Sequence, residues 1–298
     1  MKGPGFPSLD QLQVFLVVVE TGSFAAAGRR LGRATSAISY AIANLESQLG
    51  VVLFDREQTR KPVLTEAGIA VLSEARTLSM SVDNLRAKVK GMIEGLEAEV
   101  TMVVDVMLPT ARLVDAMQAF EAKFPTVPLR LHVEALGATR QLVVSGVARI
   151  GVCGPIFSEV VGIERINIGG VDLIPVAAPG HPLAKAKKNL PGEARNHIQL
   201  VLTDRSTLTE GQDFGVIAVK SWRLADLGAK HALLLAGVGW GNMPEPMVRG
   251  DLKAGRLVRL KLPEWQIGEY GLHAIYRTDN PPGPAAAWMI ERFLSQVK

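Results

Sequence analysis

Three short apolar stripes, each closed by a glycine, fill the first fifty residues and leave little choice of fold there. Ser8-Leu9-Asp10-Gln11 has the form of a capping box, in which the Ser8 hydroxyl accepts from the Gln11 N–H and the Gln11 side chain answers the Ser8 N–H. Leu12, Phe15, Leu16 and Val19 follow at i, i+3, i+4 and i+7, which predicts one buried face. Thr21-Gly22 stops that helix and Ser23 is placed to cap the next. Phe24, Ala27 and Leu31 carry the second helix to Gly32, a residue able to take the left-handed conformation that ends helices. Ile38, Ile42, Leu45 and Leu49 make the third stripe, closed by Gly50. Two short helices joined by a tight glycine-containing turn have the helix-turn-helix layout.

The third helix carries the chemistry. With Ile38 inward, 100° per residue turns Ser36, Tyr40, Ala43 and Ser47 outward. That face is small and polar, has one aromatic and no acid, and can enter a DNA major groove about 12 Å wide without repelling phosphates. A solvated amphipathic helix presents a polar face too, so the stripe alone leaves both readings open. Val51 to Arg56 and Pro62 to Leu64 flank a polar stretch with Arg60 and Lys61, which predicts two short β segments around a basic tip. Between Ser23 and Pro62, six basic residues (Arg29, Arg30, Arg33, Arg56, Arg60, Lys61) stand against three acids (Glu46, Asp55, Glu57). The whole chain is only mildly basic, +4 from 33 Lys+Arg and 29 Asp+Glu, which permits a nucleic-acid partner without requiring one.

From Thr65 to about Ile93 the pattern is one long helix. Val71, Ala75, Leu78, Val82, Leu85, Val89 and Met92 step by alternating fours and threes, the a/d seam of a coiled coil. The strict 3.5 period favours self-association over a helix lying on its own domain. Gly91 and Gly95 mark a linker. Beyond Glu99 the texture turns α/β. Strands are predicted at Val100–Val106, Leu129–Ala135, Ile174–Ala178, Ile198–Leu202, Val216–Val219 and Leu272–Arg277. Helices are predicted at Leu113–Phe124 and Leu224–Ala236, with a last one after Pro284 through Trp288, Ile290 and Phe293. Strands alternating with helices argue for mostly parallel sheets. A chain of 298 residues, 48% hydrophobic, suits two or three such cores.

The sequence holds no phosphate-cradling glycine loop and no nucleophile-elbow serine. The five histidines lack metal-ligand spacing, and the single cysteine, Cys153, admits no internal disulfide or thiolate zinc cluster and reads as a small core hydrophobe. No apolar run approaches the eighteen residues of a membrane span, and the N-terminus lacks a signal-peptide layout, so a cytoplasmic protein with no metal, cofactor or catalytic site is expected.

Leu9 to Ala75 closely resembles the LysR-type transcriptional regulators. The phrases "F…VVETGSFAAA", "SAISYAI.NLE..LG..LF.R" and "LTEAG" recur in that family in this order and spacing. Weaker marks continue at Phe120 to Leu129, Ala236 to Pro244 and Leu252 to Leu260. The resemblance implies an all-α winged helix-turn-helix, a long dimerising linker helix, and an α/β regulatory domain similar to periplasmic binding proteins, with two lobes, two crossover strands and a small-molecule effector between them. On this reading residues 1–64 bind DNA, 65–95 form the linker helix and 96–298 bind the effector, lobe I being about 96–170 with 268–298 and lobe II about 171–267. The implied partners are double-stranded operator DNA, an unidentified effector and a second copy of the chain, as homodimer or homotetramer, with RNA polymerase a further candidate.

Thr35, Ser36 and Ser39 are then the candidates for base edges or adjacent phosphates, with Tyr40, Arg56 and Arg60 on the backbone and Ser23 and Arg33 as further DNA-binding candidates. Ala34 stands in the turn and cannot cap, so Thr35 or Ser36 is expected to. Thr35 replaces the family's usual glutamine and reaches less far. Gly28 replaces a usual alanine or charged residue, at about 1 kcal/mol of helix propensity. For the effector, strand ends that turn into helices point to Leu108, Pro109 and Thr110, to Thr203 and Asp204, and to Asn242 and Met243 as a third wall. A carboxylate at Asp204 argues for a polar or partly aromatic ligand over an acid. Two rivals remain open: an α/β binding protein or enzyme whose N-terminal helices only mediate assembly, and a DNA reader whose lobes serve oligomerisation alone.

Overall fold

The computed structural model describes residues 6–55, 62–155, 161–203, 206, 208, 214–265 and 268–296. Arg56, Arg60 and Asp204 lie outside the described residues. The chain divides into two compact units, Met1–Lys90 and Gly91–Lys298.

The first unit contains α1 (Leu9–Thr21), α2 (Phe24–Leu31), α3 (Thr35–Leu49), the antiparallel pair β1 (Phe54–Asp55) and β2 (Val63–Leu64), and α4 (Glu66–Ile93), which runs past its last residue. The capping box forms: Ser8 N–H donates to Gln11 Oε1 at 2.7 Å and Gln11 N–H to Ser8 Oγ at 3.2 Å. Gly22, Gly32 and Gly50 end their helices at φ of 66°, 66° and 70°, where a side chain would be strained. Phe54 meets Phe15 and Phe24 edge-on at 5.5 and 5.6 Å, fastening the β ribbon to the helices.

Three expectations are corrected. Helix α1 buries Val14, Phe15, Val17 and Val18 most deeply, with Leu12, Leu16 and Val19 at the margin. It packs on both α2 and α3, so its apolar face is wider than one stripe. Neither Thr35 nor Ser36 caps α3; Ala34 holds the cap position in extended conformation and no side chain bonds there. Gly28 is a close-approach residue rather than a plain cost, because an added Cβ would lie 2.7 Å from the Arg33 carbonyl oxygen. Gly68, in the "LTEAG" phrase, is tighter still. Thr65 Oγ1 donates to Val52 O at 2.7 Å and accepts from Gly68 N–H at 2.9 Å, which drives the first turn of α4 onto the Leu53 carbonyl, where a Cβ at residue 68 would collide.

The second unit runs β3 (Val100–Asp105), α5 (Thr110–Lys123), β4 (Leu129–Glu134), α6 (Gly137–Val144), β5 (Ile150–Cys153), β6 (Ile163–Ala177), α7 (Pro182–Lys185), a 3₁₀ turn at Glu193–Asn196, β7 (Gln199–Leu202), β8 (Ser221–Leu224), α8 (Leu227–Leu235), β9 (Trp240–Pro244), α9 (Glu245–Lys253), β10 (Val258–Arg259), β11 (Gly268–Arg277) and α10 (Pro284–Ser295). The described strands form one nine-stranded sheet, ordered β4-β3-β5-β11-β6-β9-β7-β8, with β10 on β6. At one end β4, β3 and β5 are parallel, and at the other β8, β7 and β9 are parallel. Between them β6 and β11 run antiparallel along nearly their whole length. β11 pairs with β5 through His273–Tyr276, and β6 pairs with β9 through Leu173–Ala177, so these two strands cross from one lobe to the other. The strand expected at 174–178 is thus the far half of a crossover.

The strand expected at Val216–Val219 does not form. The N–H groups of Ile217 and Ala218 donate to Gln199 Oε1 at 2.9 and 3.1 Å, so a buried side chain takes the bonds a ladder needs, and the strand falls at Ser221–Leu224 instead. Leu224 therefore belongs to β8, and α8 starts at Leu227 behind an Asp226 cap.

Candidate functional site

Two surfaces have the makings of a site, one in each unit. On α3, Ile38, Ile42 and Leu45 are fully buried, and this fixes the rotation of the helix. Thr35, Ser36, Ala37, Ser39, Tyr40, Ala43 and Ser47 are exposed, Tyr40 at 70%. With no side-chain cap, the first-turn N–H groups of Thr35 and Ser36 face outward as unspent donors at the positive end of the helix dipole. Ser39 Oγ donates back to Thr35 O at 3.1 Å, a bond it must give up or share to reach a base.

Arg33 and Ser23 have structural work as well. Arg33 makes a two-pronged pair with Asp10 at 2.7 and 2.8 Å, and that hydrogen-bonded guanidinium holds the Asp10 carboxyl below the usual carboxylate range. Ser23 Oγ caps α2 by accepting from Ala26 N–H at 3.0 Å. The structure therefore brings Thr35, Ser36, Ser39 and Tyr40 onto one exposed face, with Arg33 and Ser23 tied to the scaffold around it.

The second surface is a cavity of about 510 Å³ between the two lobes of the nine-stranded sheet. It opens at the carboxyl ends of parallel strands, as ligand crevices in α/β sheets do. Cys153-Gly154-Pro155 follow β5, Gln199 to Leu202 are β7, and Leu136, Gly137 and Arg140 come from the entry to α6. Of the residues expected from the sequence, Asn242 lines it. Leu108, Pro109, Thr110, Thr203 and Met243 are not among the described lining residues: Leu108 and Met243 are buried in the sheet core, and Thr110 is exposed on the first turn of α5. The helix entry that meets the cavity is that of α6, where Leu136 takes a positive φ of 49°, a conformation costing about 1–3 kcal/mol in a residue with a side chain.

Asp105 organises this corner. It is 1% exposed at the end of β3; its Oδ1 accepts from Met107 N–H at 2.8 Å, and its Oδ2 accepts from Leu136 N–H at 3.2 Å and from the Tyr270 hydroxyl at 3.0 Å. Burial pushes its pKa up to about 6, against the pull of those donors. Cys153, beside it in the cavity wall, is pushed up to about 12 by burial and then by the Asp105 charge, so it stays a thiol. Gln199 spends its amide on the loop that follows β7, donating from Nε2 to Gly215 O at 2.8 Å. Gly215, at φ 67°, lets its backbone pass against the Trp265 ring and the Asn242 amide, which an added Cβ would meet at 3.1 and 3.8 Å.

The sequence argument missed Lys230. It lies on α8 between Leu227 and Leu234, at a spacing of three and four that belongs to the buried stripe. A lone lysine at such a position was the available signal. Its side chain is 3% exposed, lines the cavity, and donates from Nζ to Asn242 O at 2.7 Å.

Residues 9–69 match the model of the bacterial regulatory helix-turn-helix protein, lysR family, and residues 94–298 match the LysR substrate binding domain. The probable HTH-type transcriptional regulator YhaJ of Escherichia coli (strain K12) is 30% identical over 291 residues, covering 95% of this chain and 94% of its own. The HTH-type transcriptional regulator AceR of Acinetobacter baumannii is 25% identical over 284 residues, covering 95% of each. In fold, the chain is similar to full-length LysG from Corynebacterium glutamicum with bound effector Arg, at 20% identity and a TM-score of 0.52 over 97% of each chain.

Proposed function

This chain belongs to the LysR family of DNA-binding transcriptional regulators, and on that premise we propose that α3 reads operator DNA and that the interlobe cavity binds the effector that controls the reading. The observation that carries the first half is the exposed, acid-free face of α3 with its uncapped N-terminus. Thr35 and Ser36 supply short hydroxyls for base edges and unspent N–H groups for a phosphate, and Tyr40 lies one turn further along the same face. Arg56 and Arg60 carry the positive charge that phosphate contacts need. Arg33 and Ser23 act on the DNA indirectly, by fixing the turn that sets α3.

The cavity carries the second half. Its size suits a small molecule, and it lies where β6 and β11 cross, so a ligand touching both lobes favours one arrangement of them over another. The proposal therefore moves the effector contacts from Thr110 and Thr203 to Lys230, Asn242, Trp265 and the α6 entry. Self-association through α4 would present two copies of α3 to half-sites about one helical turn or a multiple apart. The working unit is a homodimer or homotetramer in the cytoplasm that acts on RNA polymerase through bound DNA and performs no catalytic step of its own. Among the described residues no single helix is long and apolar enough to cross a membrane.

The experiment is a gel shift of the full-length protein on DNA from upstream of its own gene, beside random DNA of equal length. Wild type is expected to prefer the upstream fragment. Leu173→Trp, which fills the cavity, is expected to keep that preference and lose every ligand response. A ligand response that survives Leu173→Trp would place the effector elsewhere.

A further inference from the structure

We propose that the interlobe cavity takes an organic carboxylate with an apolar body, its carboxylate paired with Lys230 and a hydrogen-bond donor of its own turned to Asn242 Oδ1. This rests on the reading of the cavity as the effector site and adds the ligand's chemistry. The charged side chains among the described lining residues are Arg140 and Lys230, both cations, with no carboxylate among them. Lys230 is buried, and its hydrogen bond among the described residues is the one to Asn242 O, which leaves two of three ammonium N–H groups for a guest. Burial alone lowers its pKa to about 8; no neighbouring charge contributes. A desolvated, unpaired ammonium is costly to a fold, and the cost is relieved when a counter-charge arrives.

Two further polar atoms in the same wall lack partners. Asn242 Oδ1 is a buried acceptor and Trp265 Nε1 a buried donor, and among the described residues neither has a hydrogen-bond partner. The Trp265 ring and the Asn242 amide both approach the α-carbon of Gly215. Gln199 cannot serve in their place, because its amide is committed to the backbone of residues 215, 217 and 218. The unmet needs are thus one negative charge, one acceptor and one donor, all contributed by the second lobe. Much of the remaining wall, including Leu136, Leu173, Leu202 and Phe214, is apolar and suits a flat or branched hydrocarbon body. An amine ligand would meet the Lys230 cation, and a neutral one would leave the ammonium unpaired.

The test uses thermal unfolding of the full-length protein with matched probes, each acid beside its primary amide: 4-hydroxyphenylacetate and 4-hydroxyphenylacetamide, and 3-phenylpropionate and 3-phenylpropionamide. At least one acid is expected to raise the unfolding temperature of wild type where its amide does not, and to bind Lys230→Met at least about tenfold more weakly. Without any probe, Lys230→Met is expected to unfold at a higher temperature than wild type, because an unpaired cation has been replaced by an apolar chain of similar length. Asn242→Leu should erase the advantage of 4-hydroxyphenylacetate over 3-phenylpropionate. A lower unfolding temperature for ligand-free Lys230→Met would show that the protein already satisfies the ammonium and would overturn the proposal. Equal stabilisation by acid and amide would overturn the carboxylate while leaving the cavity as the effector site. Wild type unmoved by all four probes would also count against the carboxylate class. Failure of the cavity reading itself shows separately, as an acid that stabilises Leu173→Trp as well as wild type.

Discussion

The Tyr270 hydroxyl donates to Asp105 Oδ2 at 3.0 Å, joining residues 165 positions apart and tying crossover strand β11 to the end of β3. The bond holds a buried carboxylate against the strand that passes between the lobes, so it ties the cavity corner to that crossover strand.

Asp105 gives the regulatory unit a pH signature. Its folded pKa is pushed up to about 6 from an ordinary 3.8, so the folded chain keeps a proton that the unfolded chain releases. The stabilisation is present below about pH 4 and is lost as pH rises through about 6. Tyr270→Phe removes a donor to the charged form, which should move the upper end of that loss to higher pH and cost about 1–3 kcal/mol at neutral pH. Thermal unfolding of both proteins between pH 4 and 8 measures this. A stability that rises between pH 4 and 6 by the amount one carboxylate carries would contradict it.

Gly68→Ala should destabilise the N-terminal unit by about 1–3 kcal/mol, since the new Cβ collides with the Leu53 carbonyl and α4 must lift from the β ribbon. The change raises helix propensity, so a propensity argument predicts the opposite sign. Denaturant unfolding followed by operator titration separates the two.

Along α4, Ala75 is buried, whereas Leu78, Leu85, Val89 and Met92 are between 47% and 61% exposed in the single chain. Covering each in a second copy would contribute up to about 1.5–3 kcal/mol. Leu78→Glu with Leu85→Glu should make the full-length protein sediment as a smaller species and bind its operator more weakly. A double variant that sediments like wild type would leave the seam without a role.

Cys153 should be inert. With its thiol pushed up to about 12, about one molecule in a hundred thousand carries the thiolate at neutral pH. An aromatic disulfide reagent should label the native protein far more slowly than the unfolded one, and Cys153→Ser should leave operator binding unchanged.

The N-terminal unit was legible because its signals are local: Ser8 with Gln11, Ser23 with Ala26, and glycines at 22, 32 and 50 each act within a turn of themselves. The meaning of Gly28 and Gly68 was not, since each is set by a carbonyl from another segment. In the regulatory unit, strand-end reasoning pointed to the α5 entry at Thr110, whereas the cavity is lined by the entry to α6 at Leu136, Gly137 and Arg140. Thr110 and Gly137 both open helices after parallel strands, and only tertiary packing decides which one meets the cavity. Gln199 overrode a strand signal at Val216–Val219 from seventeen or more residues away in sequence. Lys230 stayed hidden because lysines on helices usually face water.

The most direct test of the account is selection of bound sequences from a random DNA pool by wild type, Thr35→Gln, Ser36→Ala and Arg56→Ala. If α3 reads the bases, Thr35→Gln and Ser36→Ala should change the selected base at one pair of symmetry-related positions and keep the half-site spacing. Arg56→Ala should select the wild-type sequence with lower affinity and a salt slope reduced by about one ion. Identical selected sequences from wild type and both α3 variants, or a changed sequence from Arg56→Ala alone, would contradict the assignment of base reading to α3.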